Sequence, residues 1–304
     1  MPIRQQSSLQ RVNPQQLLIT MELTFKEFLR SGKEQLSTAG YPEVDAEHLL
    51  AHVLGISRID LHNPLAVENA IVAIGDTTLI EENFWNLLDR RCAHEPLQYL
   101  TGTAYFRYLE VEVGPGVLVP RPESELLVDA TLNHIQKRPA PVSVIDLGAG
   151  SGALTLAIAT EAPNTHLIAV ERDPVAAQWL RKNVARISED IRIIEEDVST
   201  ALTGVKCDVV IANPPYIPNS QVLPRDVAEH EPAVALFGGS DGMEVPRKFI
   251  VAAARLLKSG GFLAIEHHES QPAAIADAMS QEFTEITLHQ DLAERPRFTT
   301  GIRR

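Results

Sequence analysis

Apolar side chains between Leu23 and about Arg91 recur at helical spacing, as in Phe25, Phe28 and Leu29, then Ala46, Leu49, Leu50, Val53 and Leu54, then Phe84, Leu87 and Leu88. Gly32, Gly40, Gly55 and Gly75 punctuate the run, so the pattern predicts a small domain of short helices over 21–95. Residues 1–20 are instead polar and rich in Gln, with Pro14 just before the next apolar stretch, and read as a flexible leader; Met21 is then an alternative initiator. At Pro96 the period changes. The stretch PLQYLTGTAYFRYLEVEVGPGVLVP is aromatic and β-branched, alternates across Tyr105 to Val113 and turns at Gly114-Pro115-Gly116, which predicts a β-hairpin linker over 96–120.

After Arg121 a helix is expected to about Lys137, and from there strands and helices alternate to the end. Val142 to Leu147, His166 to Glu171, Ile191 to Glu195, Cys207 to Ala212 and Phe262 to Glu266 read as strands. The helices between them cover about Ala153 to Glu161, Val175 to Val184 and Val245 to Leu257. Such alternation implies an α/β domain over 121–304 whose sheet is mostly parallel and covered by helices on both faces. Two late runs, Glu285 to His289 and Arg297 to Ile302, lie too close together for a helical crossover and should pair antiparallel. The expected sheet is therefore seven-stranded, with an antiparallel last strand.

Length and composition narrow the class. At 304 residues, 44% apolar and 22% charged, the chain has the make-up of ordinary globular domains, roughly two at about 150 residues each. No run of about 18 apolar residues occurs, and the first residues lack the apolar segment of a signal peptide. Cys92 and Cys207 fit neither a disulfide framework nor a zinc spacing, which suits a reducing, cytoplasmic compartment. Lys and Arg number 27 against 40 Asp and Glu, a net charge of -13. Without a basic stripe, a phosphate backbone should be repelled, so no direct nucleic-acid partner and no membrane partner is expected.

Two motifs carry chemistry. The turn after the first sheet strand reads Asp146-Leu147-Gly148-Ala149-Gly150-Ser151-Gly152, and glycines there let a ligand approach the backbone at a helix start. Gly148, Gly150 and Ala153 also satisfy the dinucleotide fingerprint, and Glu171 is the expected ribose-binding acid in either reading. A carboxylate at Asp146 would repel a pyrophosphate but attract a cationic ligand such as S-adenosylmethionine, which carries a sulfonium and an ammonium. The second motif, Asn213-Pro214-Pro215-Tyr216, follows the fourth strand at the carboxyl edge of the sheet, where open α/β folds bind ligands. Its prolines supply no backbone N–H. The Asn oxygen and the first proline carbonyl can accept both hydrogens of a planar NH2 group while Tyr216 packs on its π face.

With these residues in view, the chain resembles the S-adenosylmethionine-dependent methyltransferases of amino and amide nitrogens. More narrowly, it resembles the protein-(glutamine-N5) methyltransferases acting on peptide chain release factors. The resemblance runs from Met21 onward through DAEHLLAHVLG, PLQYLTGTAYF, LVPRPESELLV, DLGAGSGALTLAIA, ANPPYIP, HEPAVALFGGSDG and GGFLAIEH. NPPY alone also occurs in adenine-N6 methyltransferases of nucleic acids; the hairpin and the RPESE segment make the match specific. The resemblance implies a Rossmann-like class I methyltransferase that transfers a methyl group to the side-chain amide of the glutamine in a Gly-Gly-Gln motif, in translation termination. The alternatives are N5-methylation of a ribosomal-protein glutamine and adenine-N6 methylation of nucleic acid. It further implies that Gly148, Ala149, Gly150, Ser151 and Gly152 line the methionine part of the cofactor, and that Glu171 takes the ribose hydroxyls. Asp197 and Val198 lie near the adenine, and Phe106 and Arg121 lie close to the pocket. Val198 stands where an aromatic residue is frequent, and Ala149 and Ser124 where Thr is more usual.

No metal is expected. His48 and His52 have the i, i+4 spacing of a metal pair but lack a third ligand, and methyl transfer does not require His267 or His268. His230-Glu231-Pro232 falls near the NPPY edge, as a peptide contact or as a loop anchor. The helical domain is expected to dock the protein substrate.

Overall fold

The computed structural model describes residues 14–188 and 190–304, and gives the backbone alone for 14–24. The chain forms two compact units that divide between Thr101 and Gly102.

The first unit is helical: α1 Pro14–Thr38, α2 Val44–Leu54, a 3-10 turn Arg58–His62, α3 Pro64–Ile74, α4 Thr77–Cys92 and α5 Leu97–Thr101. Asp76 caps α4 by accepting from the Thr78 and Leu79 N–H groups, and Gly55 and Gly75 close α2 and α3 in the left-handed conformation. Leu36, Leu49, Phe84 and Leu88 form the core; Phe84 is 1% exposed, a burial worth about 1.5–3 kcal/mol. Arg91 donates to Asp45 at 2.8 Å inside this unit and lies over the Tyr41 ring.

Two expectations are corrected here. The leader extends at most to residue 13, because α1 starts at Pro14, a residue suited to a first helical turn; residues 1–13 lie outside those described. Gly32 does not end a helix, for α1 runs through it. A Cβ at Gly32 would stand 2.7 Å from the Phe84 ring, so glycine is needed there for close packing rather than as a break.

The second unit opens with a hairpin, β1 Thr103–Phe106 and β2 Leu109–Glu112, antiparallel and joined by Arg107 and Tyr108. It is shorter than the 96–120 linker expected, and it belongs to this unit. Helix α5 takes residues 97–101, and Arg107 ties the hairpin turn to the rest of the second unit by donating to Glu161 and, through its N–H, to Glu125. Next come α6 Ser124–Ile135, β3 Val142–Leu147, α7 Ala153–Glu161, β4 Thr165–Val170, α8 Pro174–Ile187, β5 Ile191–Ile194 and β6 Cys207–Ala212. The chain finishes with α9 Arg225–His230, α10 Ala233–Leu236, α11 Glu244–Leu256, β7 Leu257–Glu266, α12 Pro272–Met279, β8 Phe283–Gln290 and β9 Pro296–Arg303.

β3 to β9 form one seven-stranded sheet in the order β5-β4-β3-β6-β7-β9-β8. Pairing is parallel from β5 to β7, and β9 runs antiparallel to both β7 and β8. Ile145, Leu147, Val210, Ala212, Leu263 and Ile265 of the central strands are at most 1% exposed, as expected of strands covered on both faces. Strand order reverses between β3 and β6, and the crevice at their carboxyl ends is where this class of sheet binds ligands. Among the described residues no helix is long and apolar enough to cross a membrane.

Candidate active site

The glycine turn leaves β3 with Gly148, Gly150 and Gly152 all at positive φ, +74°, +56° and +87°. The N–H groups of Gly148 and Ala149 donate to the Val170 carbonyl, at 2.8 and 3.0 Å, which hangs the turn on β4. Glu171, just past β4, fixes it further: its Oε2 accepts from the Gly150 N–H at 2.9 Å and its Oε1 from the Asp173 N–H at 2.8 Å. Burial raises the Glu171 carboxyl above the usual range. A Cβ at Gly152 would strike Leu180 at 2.6 Å, whereas one at Gly150 meets nothing within 4 Å.

Gly148, Ala149, Gly150, Ser151 and Glu171 line one cavity, of about 1110 Å³ including its mouth, which suits a nucleoside-sized ligand. Asp197, Val198, Phe106, Arg121, Asn213 and Pro215 line it too, joined by Ser124, Phe249 and Lys248. Asp197 accepts from Arg172 at 3.3 Å and from the Ser199 N–H, so its carboxylate is held in place. Phe106 is the inward residue of the hairpin, 1% exposed, while its neighbour Tyr105 is 74% exposed.

Asp146, Gly152, Pro214 and Tyr216 do not line the cavity. Asp146 lies wholly buried beneath the turn and accepts from the Thr155 hydroxyl at 2.5 Å, so the expected direct contact with a ligand is replaced by an anchoring role. Burial pushes its carboxyl up to about 7, and its Oδ1 is without a partner. Gly152 is packed under Leu180, and Tyr216 points inward to Glu266.

Beside the glycine turn stands Asn213, at the exit of β6, which pairs with β3 through Leu147 and Ala212. Its Nδ2 donates to Ser124 Oγ at 3.1 Å; Ser124 in turn donates to Glu266 Oε2 at 2.5 Å, and the Tyr216 hydroxyl donates to Glu266 Oε1 at 3.0 Å. Glu266 is 2% exposed, and burial raises its carboxyl and the Tyr216 phenol alike. The backbone beyond is braced by the segment from α10: Ile217 N–H donates to the Leu236 carbonyl and Gly238 N–H to the Ile217 carbonyl, both at 2.9 Å. A Cβ at Gly238 would meet the Pro215 carbonyl at 2.6 Å, so only glycine admits this approach.

Glu231 gives the HEP segment its place. Its Oε1 accepts from Arg121 at 2.6 Å and its Oε2 from the Val119 N–H at 3.2 Å, with the Glu231 side chain 2% exposed. The segment thus anchors the loop carrying Arg121, and the partner is Glu231 rather than His230. His267 faces Thr299 on β9, and His268 lies 6.5 Å from the Tyr216 ring. Sequence reasoning noted Ser124 only as a departure from the more usual Thr and passed over Glu266 and Asn183, the last of which binds the carbonyls of Glu112 and Ser151. A lone carboxylate closing the apolar strand FLAIE was the signal for Glu266.

Residues 27–102 match the model of the PrmC N-terminal domain, and residues 123–230 that of the methyltransferase small domain. The release factor glutamine methyltransferase of Mycolicibacterium smegmatis is 40% identical over 280 residues, covering 88% of this chain and 94% of that protein. Its counterpart in Streptomyces coelicolor is 37% identical, with 88% and 94% covered, and that of Escherichia coli is 33% identical, with 92% and 99% covered.

Proposed function

The chain belongs to the release factor glutamine methyltransferases, and we propose that its NPPY loop holds the side-chain amide of a release-factor glutamine against the glycine-turn cavity for methylation. The enzyme transfers a methyl group from S-adenosylmethionine to glutamine N5. The substrate glutamine is that of the Gly-Gly-Gln motif.

The residues present fit this cofactor. Glu171 spends one lone pair of each oxygen on a backbone N–H and keeps acceptor capacity at the cavity wall, where a ribose diol offers donors. Asp146, wholly buried with its carboxyl raised, serves the cofactor only indirectly, by anchoring the turn through Thr155. Gly150 leaves room beside the backbone for the methionine part. Val198, 7% exposed, offers the adenine an apolar contact in place of a ring.

When bound, S-adenosylmethionine supplies an electrophilic methyl on sulfur. A neutral amide is a poor nucleophile, so the protein's work is placement, which in the best cases removes about 7 to 11 kcal/mol of barrier. Asn213 Oδ1 accepts one N–H hydrogen of the substrate amide and aims its nitrogen lone pair into the cavity, and the Pro214 carbonyl, on a residue just outside the cavity lining, accepts the other. Those bonds strengthen as positive charge builds on nitrogen, and that difference lowers the barrier. Phe106 and Phe249 give the cavity apolar walls.

The observation that carries the reading is the carboxamide of Asn213 set on the wall of a cavity that the glycine turn also lines. The test is mass spectrometry of purified release factor after incubation with this protein and S-adenosylmethionine. One methyl on the Gly-Gly-Gln glutamine is expected; cofactor binding without that methyl, or methyl transfer to ribosomal protein or tRNA instead, overturns the substrate assignment.

A further inference from the structure

Asn213 can receive an NH2 group in only one of its two amide orientations. The oxygen and nitrogen ends of a carboxamide are nearly the same size, so shape alone does not choose between them. Turned one way, Asn213 presents an acceptor to the substrate; turned the other, it opposes donor with donor.

The choice is made by a line of hydrogen bonds that starts at Glu266. Two hydroxyls converge on its oxygens, and their hydrogen bonds favour the ionised form, in which a carboxylate accepts only. Ser124 Oγ lies 2.5 Å from Glu266 Oε2, so the single hydroxyl proton of Ser124 points there. Only lone pairs then remain on Ser124 for Asn213, 3.1 Å away, and Asn213 must turn its NH2 toward Ser124. Its Oδ1 is left for the cavity. The other oxygen of Glu266 is taken by the Tyr216 hydroxyl at 3.0 Å, so one carboxylate sets both ends of the NPPY loop.

We propose that Glu266 and Ser124 are positioning residues that fix the carboxamide of Asn213 with Oδ1 toward the substrate amide. The proposal rests on the reading that Asn213 accepts from that amide. Glu266 lies outside the cavity lining and Ser124 on it, and each acts on the substrate amide through Asn213.

Glu266→Gln tests the polarity while keeping the shape. A glutamine offers one acceptor and one donor where two acceptors are needed, so it can satisfy Ser124 or Tyr216 but not both in their present sense. Ser124→Ala removes the link, and Ser124→Thr returns a hydroxyl. Each variant of the full chain is assayed for kcat on release factor, for S-adenosylmethionine affinity by calorimetry, and by NMR of protein labelled with 15N at asparagine, using Asn213→Ala for assignment.

In the wild type, the Asn213 amide protons should show a through-space contact to the Ser124 side chain. Ser124→Ala should lose it and lower kcat about tenfold or more. Glu266→Gln, whose one acceptor can serve Ser124 only at the expense of Tyr216, should lower kcat by a smaller factor, and both should hold cofactor affinity within about threefold. Ser124→Thr should recover most of the rate that Ser124→Ala loses. Wild-type kcat in Ser124→Ala, a Ser124→Thr as slow as Ser124→Ala, or the lack of the NMR contact in the wild type overturns the proposal. A wild type that shows the contact but leaves release factor unmethylated overturns the functional reading instead and supports the orientation.

Discussion

Asn183 pairs with Glu112 as a neighbouring strand would: its Oδ1 accepts from the Glu112 N–H at 2.7 Å, and its Nδ2 donates to the Glu112 carbonyl at 2.8 Å. The same Nδ2 donates to the Ser151 carbonyl at 3.0 Å, so one buried side chain of α8 joins the hairpin to the glycine turn. Phe106 and Ser151, one from each, line the same cavity.

Asn183→Ala should therefore weaken both fold and site. Stranding the Glu112 backbone groups should cost about 1–3 kcal/mol in denaturant unfolding, and calorimetry should show weaker S-adenosylmethionine binding. Unchanged affinity would mean that the hairpin finds its place without this link.

Asn213→Ala should lower kcat by about 10²-fold while the cofactor dissociation constant stays within a few-fold, because the lost contact is made to the reacting amide. Stopped assays and calorimetry on the same preparation check this. Near-normal turnover would remove Asn213 from the mechanism.

Two glycine substitutions should separate stability from binding. Gly150→Ala and Gly152→Ala both carry the cost of a left-handed alanine, about 1–2 kcal/mol. Only Gly152→Ala also drives a methyl into Leu180 at 2.6 Å, whereas the added methyl of Gly150→Ala meets no protein atom within 4 Å. Thermal melting should fall further for Gly152→Ala, and cofactor affinity should fall in Gly150→Ala although it folds.

The buried Asp146 should leave a mark on stability against pH. Its carboxyl is raised from 3.8 to about 7 in the folded protein, so the fold holds this proton more tightly than the unfolded chain does. Stability from this group is full below the unfolded value and is lost as pH rises to the folded one. Compared with Asp146→Asn, which cannot titrate, the wild type should lose stability between about pH 4 and 7, measured by urea unfolding; parallel curves would contradict the shift.

The parallel sheet, its antiparallel ending, the glycine turn and the NPPY loop were all legible, because each is local: a run of apolar residues, a cluster of glycines, a pair of prolines. What escaped was made of contacts between distant segments. Asn213 meets Ser124 across 89 positions and Ser124 meets Glu266 across 142, and no spacing rule spans such gaps. Gly32 misled for a related reason, since glycine marks a break only where nothing presses against it, and here Phe84 does. Asp146 was read as a ligand contact from charge alone; its burial depends on Thr155 one helical turn into α7.

β7 and β8 are consecutive strands in the chain but are not neighbours in the sheet, because β9 lies between them. During synthesis β7 and β8 leave the ribosome first and must leave a slot open for a strand still to come. Glu266 pairs in register with Phe298 of that inserted strand. The backbone that carries the carboxylate thus gains its second strand partner from the last strand in the chain, β6 being the first.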